Sequence, residues 1–263
     1  MNDRVTISIK DHVADVVLNR ADKLNALDLQ MFYALAKAAD EIASDDSVRA
    51  VVLRGAGGNF SAGIDISVLG EKDLDFAAAL DTPLLPSPAN LFQRAAYAWR
   101  ELRVPVICAL EGIVFGGGVQ IALGADVRFA SADAKLSIME SKWGLIPDMS
   151  LSVTLRDLVP PDRVKELAWT ARIFDSAEAQ SLGLITAVVE DPLAASFELA
   201  AECAARSPDA IRGIKALVNQ AWPLSDADAL ALEARLQRGI MGGANQLEAV
   251  QANLAKRKPQ FKN

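Results

Sequence analysis

At 263 residues the chain is long enough to bury a sizeable core, as one domain or two small ones, and its 51% hydrophobic and 23% charged residues are the proportions of a soluble globular protein. A net charge of −7 argues against nucleic acid as a partner, because neutralising phosphates takes clustered Lys and Arg. No apolar run reaches the roughly 18 residues of a bilayer-crossing helix, and the charged segment 1–20 lacks the apolar stretch of a signal peptide, so a cytoplasmic protein without membrane association is expected.

The single histidine narrows the chemistry further. His12 falls in a turn between two strand-like runs and reads as a surface residue, which leaves no paired histidines for zinc, and a Ser-His-Asp triad would have to use His12 itself. Acid–base work must then come from carboxylates. Cys108 and Cys203 lie in apolar surroundings and read as small buried hydrophobes rather than a disulfide.

In chain order, Val5–Ile9 and Ala14–Leu18 predict a β-hairpin. Asp28 is a good N-cap for a helix from Leu29 to about Ala43, on which Phe32, Leu35, Ala36, Ala39 and Ile42 form one apolar face. Arg49–Leu53 predicts the next strand. It exits into Gly55-Ala56-Gly57-Gly58-Asn59-Phe60-Ser61-Ala62-Gly63-Ile64-Asp65, which has neither the Lys-Ser/Thr of a P-loop nor a dinucleotide fingerprint. Segment 67–89, with Pro83, Pro86 and Pro88, is the most loop-like part of the chain and reads as a lid, a pocket wall or a plain surface excursion. A helix is predicted over Leu91–Leu102.

The stretch Val104–Asp148 organises the rest. Val104–Leu110 reads as a buried strand, followed after Glu111-Gly112 by Gly116-Gly117-Gly118 and the helix-compatible Val119–Leu123, ending at Gly124. Glycines at such a strand-to-helix corner leave backbone N–H groups open to a ligand oxygen, a polarised carbonyl being one natural guest. Ala125–Ala130 and Lys135–Ile138 predict two more strands. Beyond Asp148, helices are predicted over Ser150–Leu158, Asp162–Thr170 and from Ser176 to Gly183, with a last strand at Leu184–Val189. Three long helical stretches follow, over about 193–205, 209–221 and 225–257, the last broken near Gly242-Gly243. Their Ala and Leu content exceeds what a free tail should expose, so they pack on the core, on another subunit or on both. The basic ending Lys256-Arg257-Lys258-Pro259-Gln260-Phe261-Lys262 reads as a solvated tail or a small phosphate-binding patch.

Asn19-Arg20-Ala21-Asp22-Lys23-Leu24-Asn25-Ala26-Leu27, Phe60-Ser61-Ala62-Gly63-Ile64-Asp65 and the run from Pro105 to Pro147 together resemble the enoyl-CoA hydratase/isomerase (crotonase) superfamily, over nearly the whole chain. The resemblance implies an α/β fold, a crotonase spiral of ββα repeats spanning residues 1–191 with an acyl-CoA site. A C-terminal helical oligomerisation region, residues 192–263, would build trimers or hexamers. It further implies that the substrate's thioester carbonyl sits between two backbone N–H groups, those of Ala62 and Gly117 when carried over by motif. An acyl-CoA thioester is then the partner, coenzyme A enters only as part of the substrate, and no metal or redox cofactor is expected.

Carboxylates decide the reaction. Hydratases of this family place one glutamate just past the glycine triplet and a second about twenty residues later. Here Gln120 stands at the first position and cannot take a proton, while Glu140 keeps the second. The dienoyl-CoA isomerase branch pairs the glutamate with an aspartate where Asp148 stands, although Asp148 also reads as the N-cap of the following helix. By family analogy Arg20, Lys23, Ala26, Gly63, Ile64 and Asp65 would hold CoA, with Lys258, Phe261 and Lys262 completing the site in the same or a neighbouring subunit. Double-bond isomerisation of an enoyl- or dienoyl-CoA with Glu140 as base is the favoured reading, enoyl-CoA hydration the runner-up, and a non-catalytic acyl-CoA-binding paralogue a third.

Overall fold

The computed structural model describes residues 3–70 and 75–263. β1 (Val5–Lys10) and β2 (Val13–Leu18) form the expected antiparallel hairpin, α1 spans Leu29–Ala43, and β3 spans Ala50–Gly55. Asp28 caps α1 as expected, accepting the Met31 N–H at 2.9 Å. α2 (Phe76–Asp81), α3 (Leu91–Glu101), β4 (Val106–Leu110), β5 (Ile113–Phe115) and α4 (Gly117–Gly124) follow. Next come β6 (Val127–Ala130), β7 (Lys135–Ser137), α5 (Leu151–Thr154), α6 (Pro161–Thr170), β8 (Phe174–Asp175), α7 (Ser176–Ser181) and β9 (Ala187–Val188). Four helices end the chain: α8 (Pro192–Ala204), α9 (Pro208–Ala221), α10 (Asp226–Ile240) and α11 (Ala244–Leu254).

A six-stranded sheet has the order β1-β2-β3-β4-β6-β9, and a three-stranded one the order β5-β7-β8. From β2 onward the larger sheet is parallel, and its central strand β4, buried on both faces, reads as a continuous apolar run, while β2, β3 and β6 each carry one charged residue, Asp15, Arg54 and Arg128. One face packs on α1, α3 and α4, where Phe32 meets Phe92 edge-on at 5.1 Å and Trp99 is fully buried. Burying one such side chain stabilises the fold by roughly 1.5–3 kcal/mol. The other face carries Val13, Ala50, Val52 and Ile107, and Ala200 and Ala204 of α8 cover it.

Several elements differ from expectation. β5 and β8 were not expected, and the helix predicted over Ser150–Leu158 shrinks to α5. The segment read as loop-like holds a 3-10 turn over Ile66–Gly70 and the helix α2, whose N-cap Asp75 accepts the Ala78 N–H at 3.0 Å; its residues 71–74 lie outside the described residues. Among the described residues no helix is long and apolar enough to cross a membrane. Cys108 is buried and Cys203 half-buried, both free, and burial pushes both thiol pKa values up.

α9 is fastened to the sheet by a buried charge. Lys215 Nζ lies 2.7 Å from Asp126 and donates to the carbonyls of Trp99 (3.2 Å) and Val104 (2.9 Å), so all three of its donors are used. Burial lowers its pKa, while Asp126 opposes that. Lys215→Met leaves the carbonyls of Trp99 and Val104 without their donor and Asp126, itself exposed, without its cation, and leaving buried polar groups unpaired costs roughly 1–3 kcal/mol. A drop of that size in the unfolding free energy, read from the denaturant midpoint, is the expected outcome.

Candidate active site

The site is built where β3 and β4 end, the edge at which open parallel sheets bind ligands. Leaving β3, the chain is held by Asn25, fully buried, whose side-chain amide donates to the carbonyls of Ala56 (2.9 Å) and Asn59 (2.8 Å). Ser61 Oγ donates to the Asn25 carbonyl at 2.9 Å and accepts the Gly63 N–H at 3.1 Å. Gly63 has φ +82°, and a Cβ there would lie 2.6 Å from the Phe115 carbonyl oxygen and 3.3 Å from the Gly117 nitrogen. The two glycine corners therefore touch, and only glycine satisfies both the left-handed backbone and the close approach.

At the second corner, Gly116 adopts φ +50° and Gly117 begins α4. As the first residue of a helix Gly117 has no intrahelical acceptor for its N–H, and among the described residues it finds none elsewhere. The expectation for the other donor is corrected. Ala62 donates its N–H to the Leu24 carbonyl at 2.9 Å, so that hydrogen is spent inside the scaffold. Ile64 has the open one. Leu27 N–H donates to the Gly63 carbonyl (2.8 Å) and Asp65 N–H to the Leu27 carbonyl (3.0 Å), making a parallel bridge centred on Ile64. In that pattern the middle residue's own N–H turns away from the partner strand, and among the described residues it has no hydrogen-bond partner. Ala62, Ile64 and Gly117 all line one cavity of 370 Å3.

Gln120, Glu140 and Asp148 line the same cavity, with Met139, Trp143, Leu145 and Met149 as its apolar walls; sequence reasoning had singled out none of these four. Gln120 lies on α4, and Glu140 opens a 3-10 turn over Glu140–Trp143. Gln120 Nε2 donates to Glu140 Oε1 at 2.6 Å, and Gln120 Oε1 accepts the Met149 N–H at 2.8 Å. Glu140 Oε2 is buried without a hydrogen-bond partner among the described residues. Burial pushes the Glu140 pKa up, the charge of Asp148 adds to that rise, and the Gln120 hydrogen bond opposes it.

Asp148 stands exposed at the cavity mouth, where the surrounding protein still raises its carboxyl pKa. Its capping role is corrected: α5 starts at Leu151 with Ser150 as N-cap in the left-handed region at φ +70°. Of the residues assigned to CoA, Lys23, Ala26, Gly63, Ile64 and Asp65 do line the cavity. Arg20 does not. Its guanidinium pairs with Asp65 at 2.7 Å and donates to the Ala26 carbonyl at 3.0 Å, so it braces the two cavity loops instead of offering a free cation. Asp65 is held down to about 2 by hydrogen bonds from Ser67 and then by Arg20. The C-terminal tail lies at the other end of β3: the Phe261 carbonyl accepts from Arg49 at 3.0 Å, and Lys262 is bonded through its backbone to Asn245. Within one chain, Lys258, Phe261 and Lys262 are thus not brought to the cavity.

Spiral, paired glycine corners and helical end together define a crotonase-type α/β protein. The sequence model of the family described as enoyl-CoA hydratase/isomerase matches residues 8–263, and the chain belongs to that family. It is 32% identical, over 95% of its length and 92% of the other, to the peroxisomal Delta(3,5)-Delta(2,4)-dienoyl-CoA isomerase of Arabidopsis thaliana. It is 31% identical, over 98% of its length and 97% of the other, to a protein named probable enoyl-CoA hydratase in Mycobacterium bovis. Among solved structures, the enoyl-CoA hydratase of Bacillus anthracis superposes with a TM-score of 0.89 at 28% identity, covering 98% of this chain and 99% of that one.

Proposed function

We propose that the chain is an acyl-CoA enzyme that shifts a double bond in an enoyl- or dienoyl-CoA thioester, with Glu140 as the base. The observation that carries this reading is the pairing of one unengaged carboxylate oxygen, Glu140 Oε2, with an amide at Gln120 where a second acid would be needed to handle water. In the first step a C–H bond next to the thioester carbonyl breaks. Its proton goes to Glu140 Oε2 and its electron pair into the enolate, whose oxygen is held by the N–H groups of Ile64 and Gly117. In the second step the Glu140 carboxyl gives its proton to the far end of an enoyl substrate's conjugated system, or the Asp148 carboxyl supplies one for a dienoyl substrate, the double bond moves and the carbonyl is restored. Asp148, which lines the cavity, is the second acid we propose for a dienoyl substrate. No cofactor takes part beyond the coenzyme A carried by the substrate.

Water addition to a 2-enoyl-CoA is the second reading, supported by relatives that are named hydratases and by Asp148 as a possible partner for Glu140. A binding-only paralogue is the third. The same proposal makes this a cytoplasmic protein and a trimer or hexamer built through residues 192–263; the exposed Ile214 and Val218 of α9, Trp222 just after it and Leu254 of α11 support the oligomer. NMR together with mass spectrometry of products from 2-enoyl-, 3-enoyl- and 3,5-dienoyl-CoA separates the three, the alkene signals telling a shifted double bond from an untouched substrate. Isomerisation leaves the mass unchanged and is the expected result, with Asp148→Asn slowing the dienoyl substrate most. Gain of one water from 2-enoyl-CoA as the fastest reaction overturns it, and no turnover of any of the three favours the binding protein.

A further inference from the structure

Both ends of the Gln120 amide are spent inside the site. Gln120 is 1% exposed, so solvent does not compete for it. Its orientation follows from its neighbours: the Met149 N–H can only donate, so the oxygen of the amide must face it and the NH2 must face Glu140. The resulting chain runs from the Met149 backbone through Gln120 to Glu140 Oε1, at 2.8 and 2.6 Å, and leaves Oε2 as the unengaged oxygen. Met149 directly follows Asp148 in the sequence.

We propose that Gln120 is a positioning residue that clamps Glu140 through Oε1, presents Oε2 alone to the substrate carbon, and ties that geometry through Met149 to the segment carrying Asp148. The inference rests on the reading of Glu140 as base. A neutral amide suits the task because it donates to the carboxylate without exchanging protons with it, and the donated bond is strongest while the carboxylate is charged. Gln120 therefore keeps a buried carboxyl ready to accept. A carboxyl in its place would share a proton with Glu140 at this distance, and the two would titrate as a pair. During proton abstraction Oε2 gains the hydrogen and the N–H···Oε1 bond persists, so the carboxyl does not rotate away between taking and returning the proton.

The test compares wild type, Gln120→Met and Gln120→Glu, with kcat, KM and the pH dependence of kcat/KM measured on whichever substrate the wild type isomerises, and thermal midpoints as a folding control. Gln120→Met removes both hydrogen bonds. Its kcat is expected to fall roughly 10²-fold and the acid limb of its profile to move up by about one pH unit, with KM changed far less than kcat. Gln120→Glu keeps an acceptor for Met149 and should move the acid limb upward as well. If Gln120→Met does not fold, Gln120→Glu decides alone. An acid limb unmoved in the folded variants overturns the clamp while leaving Glu140 as base. A Glu140→Gln enzyme that keeps wild-type turnover removes the base reading itself, whatever the Gln120 variants do.

Discussion

Glu140→Gln is expected to lower kcat by roughly 10²–10⁴-fold, the share that a positioned general base contributes, while making the protein more stable at neutral pH. Activity falls because the amide cannot accept the proton, although it fits the same space beside Gln120. The stability change follows from burial. The folded protein raises the Glu140 pKa above its unfolded value, so folding binds the proton more tightly. The contribution of this carboxyl to stability is full below the ordinary glutamate pKa of about 4.3 and is lost as the pH rises through the raised folded value. Above that value wild type holds a buried negative charge, and Gln removes it. The melting temperature of Glu140→Gln should therefore exceed that of wild type at pH 8, with the difference closing toward pH 4. A variant no more stable at pH 8, or one that keeps its activity, contradicts the assignment of Glu140 as a buried functional base.

Gly63→Ala is expected to cost kcat roughly 10²–10³-fold, about the loss on removing one oxyanion donor. The side chain cannot be absorbed locally. The backbone sits at φ +82°, and the new Cβ would come within 2.6 Å of the Phe115 carbonyl oxygen and 3.3 Å of the Gly117 nitrogen, both of them backbone atoms. The two corners must move apart, and with them the N–H groups of Ile64 and Gly117. Gly58→Ala separates this effect from backbone strain. Gly58 also has a positive φ, +70°, but nothing lies within 4 Å of its would-be Cβ, so it should lose about 1–2 kcal/mol of stability and keep kcat. Equal kcat losses in the two variants would show that contact between the corners is not what matters.

The elements with strong local signals were legible in the sequence. The hairpin, the Asp28 cap of α1, the buried strand β4, the short helix ending at Gly124 and the break between α10 and α11 all follow from periodicity, caps and glycines read locally. Glu140 and Gln120 could be placed by motif, and they do meet across the cavity. What was not legible depends on pairing between distant segments. β5 and β8 are three and two residues long and form by pairing with β7 and, for β5, with Ser61 as well. The open N–H belongs to Ile64 and not to Ala62 because of how segment 60–65 pairs with Leu24 and Leu27, a register that no local pattern encodes. Arg20 reads as a phosphate ligand until its partners Asp65 and Ala26 are seen around it. Asp148 reads as a cap until Ser150, at a positive φ that sequence would not assign to serine, is found starting the helix.

The central claim, a thioester enolate formed by Glu140 and resolved without water, is tested most directly by following 3-enoyl-CoA with the wild-type protein by NMR in D2O. The account predicts a product in which the double bond has moved into conjugation with the thioester, with no hydroxyl-bearing carbon, and no such product with Glu140→Gln. A substrate left unshifted by wild type while 2-enoyl-CoA is converted to a 3-hydroxyacyl thioester would contradict it.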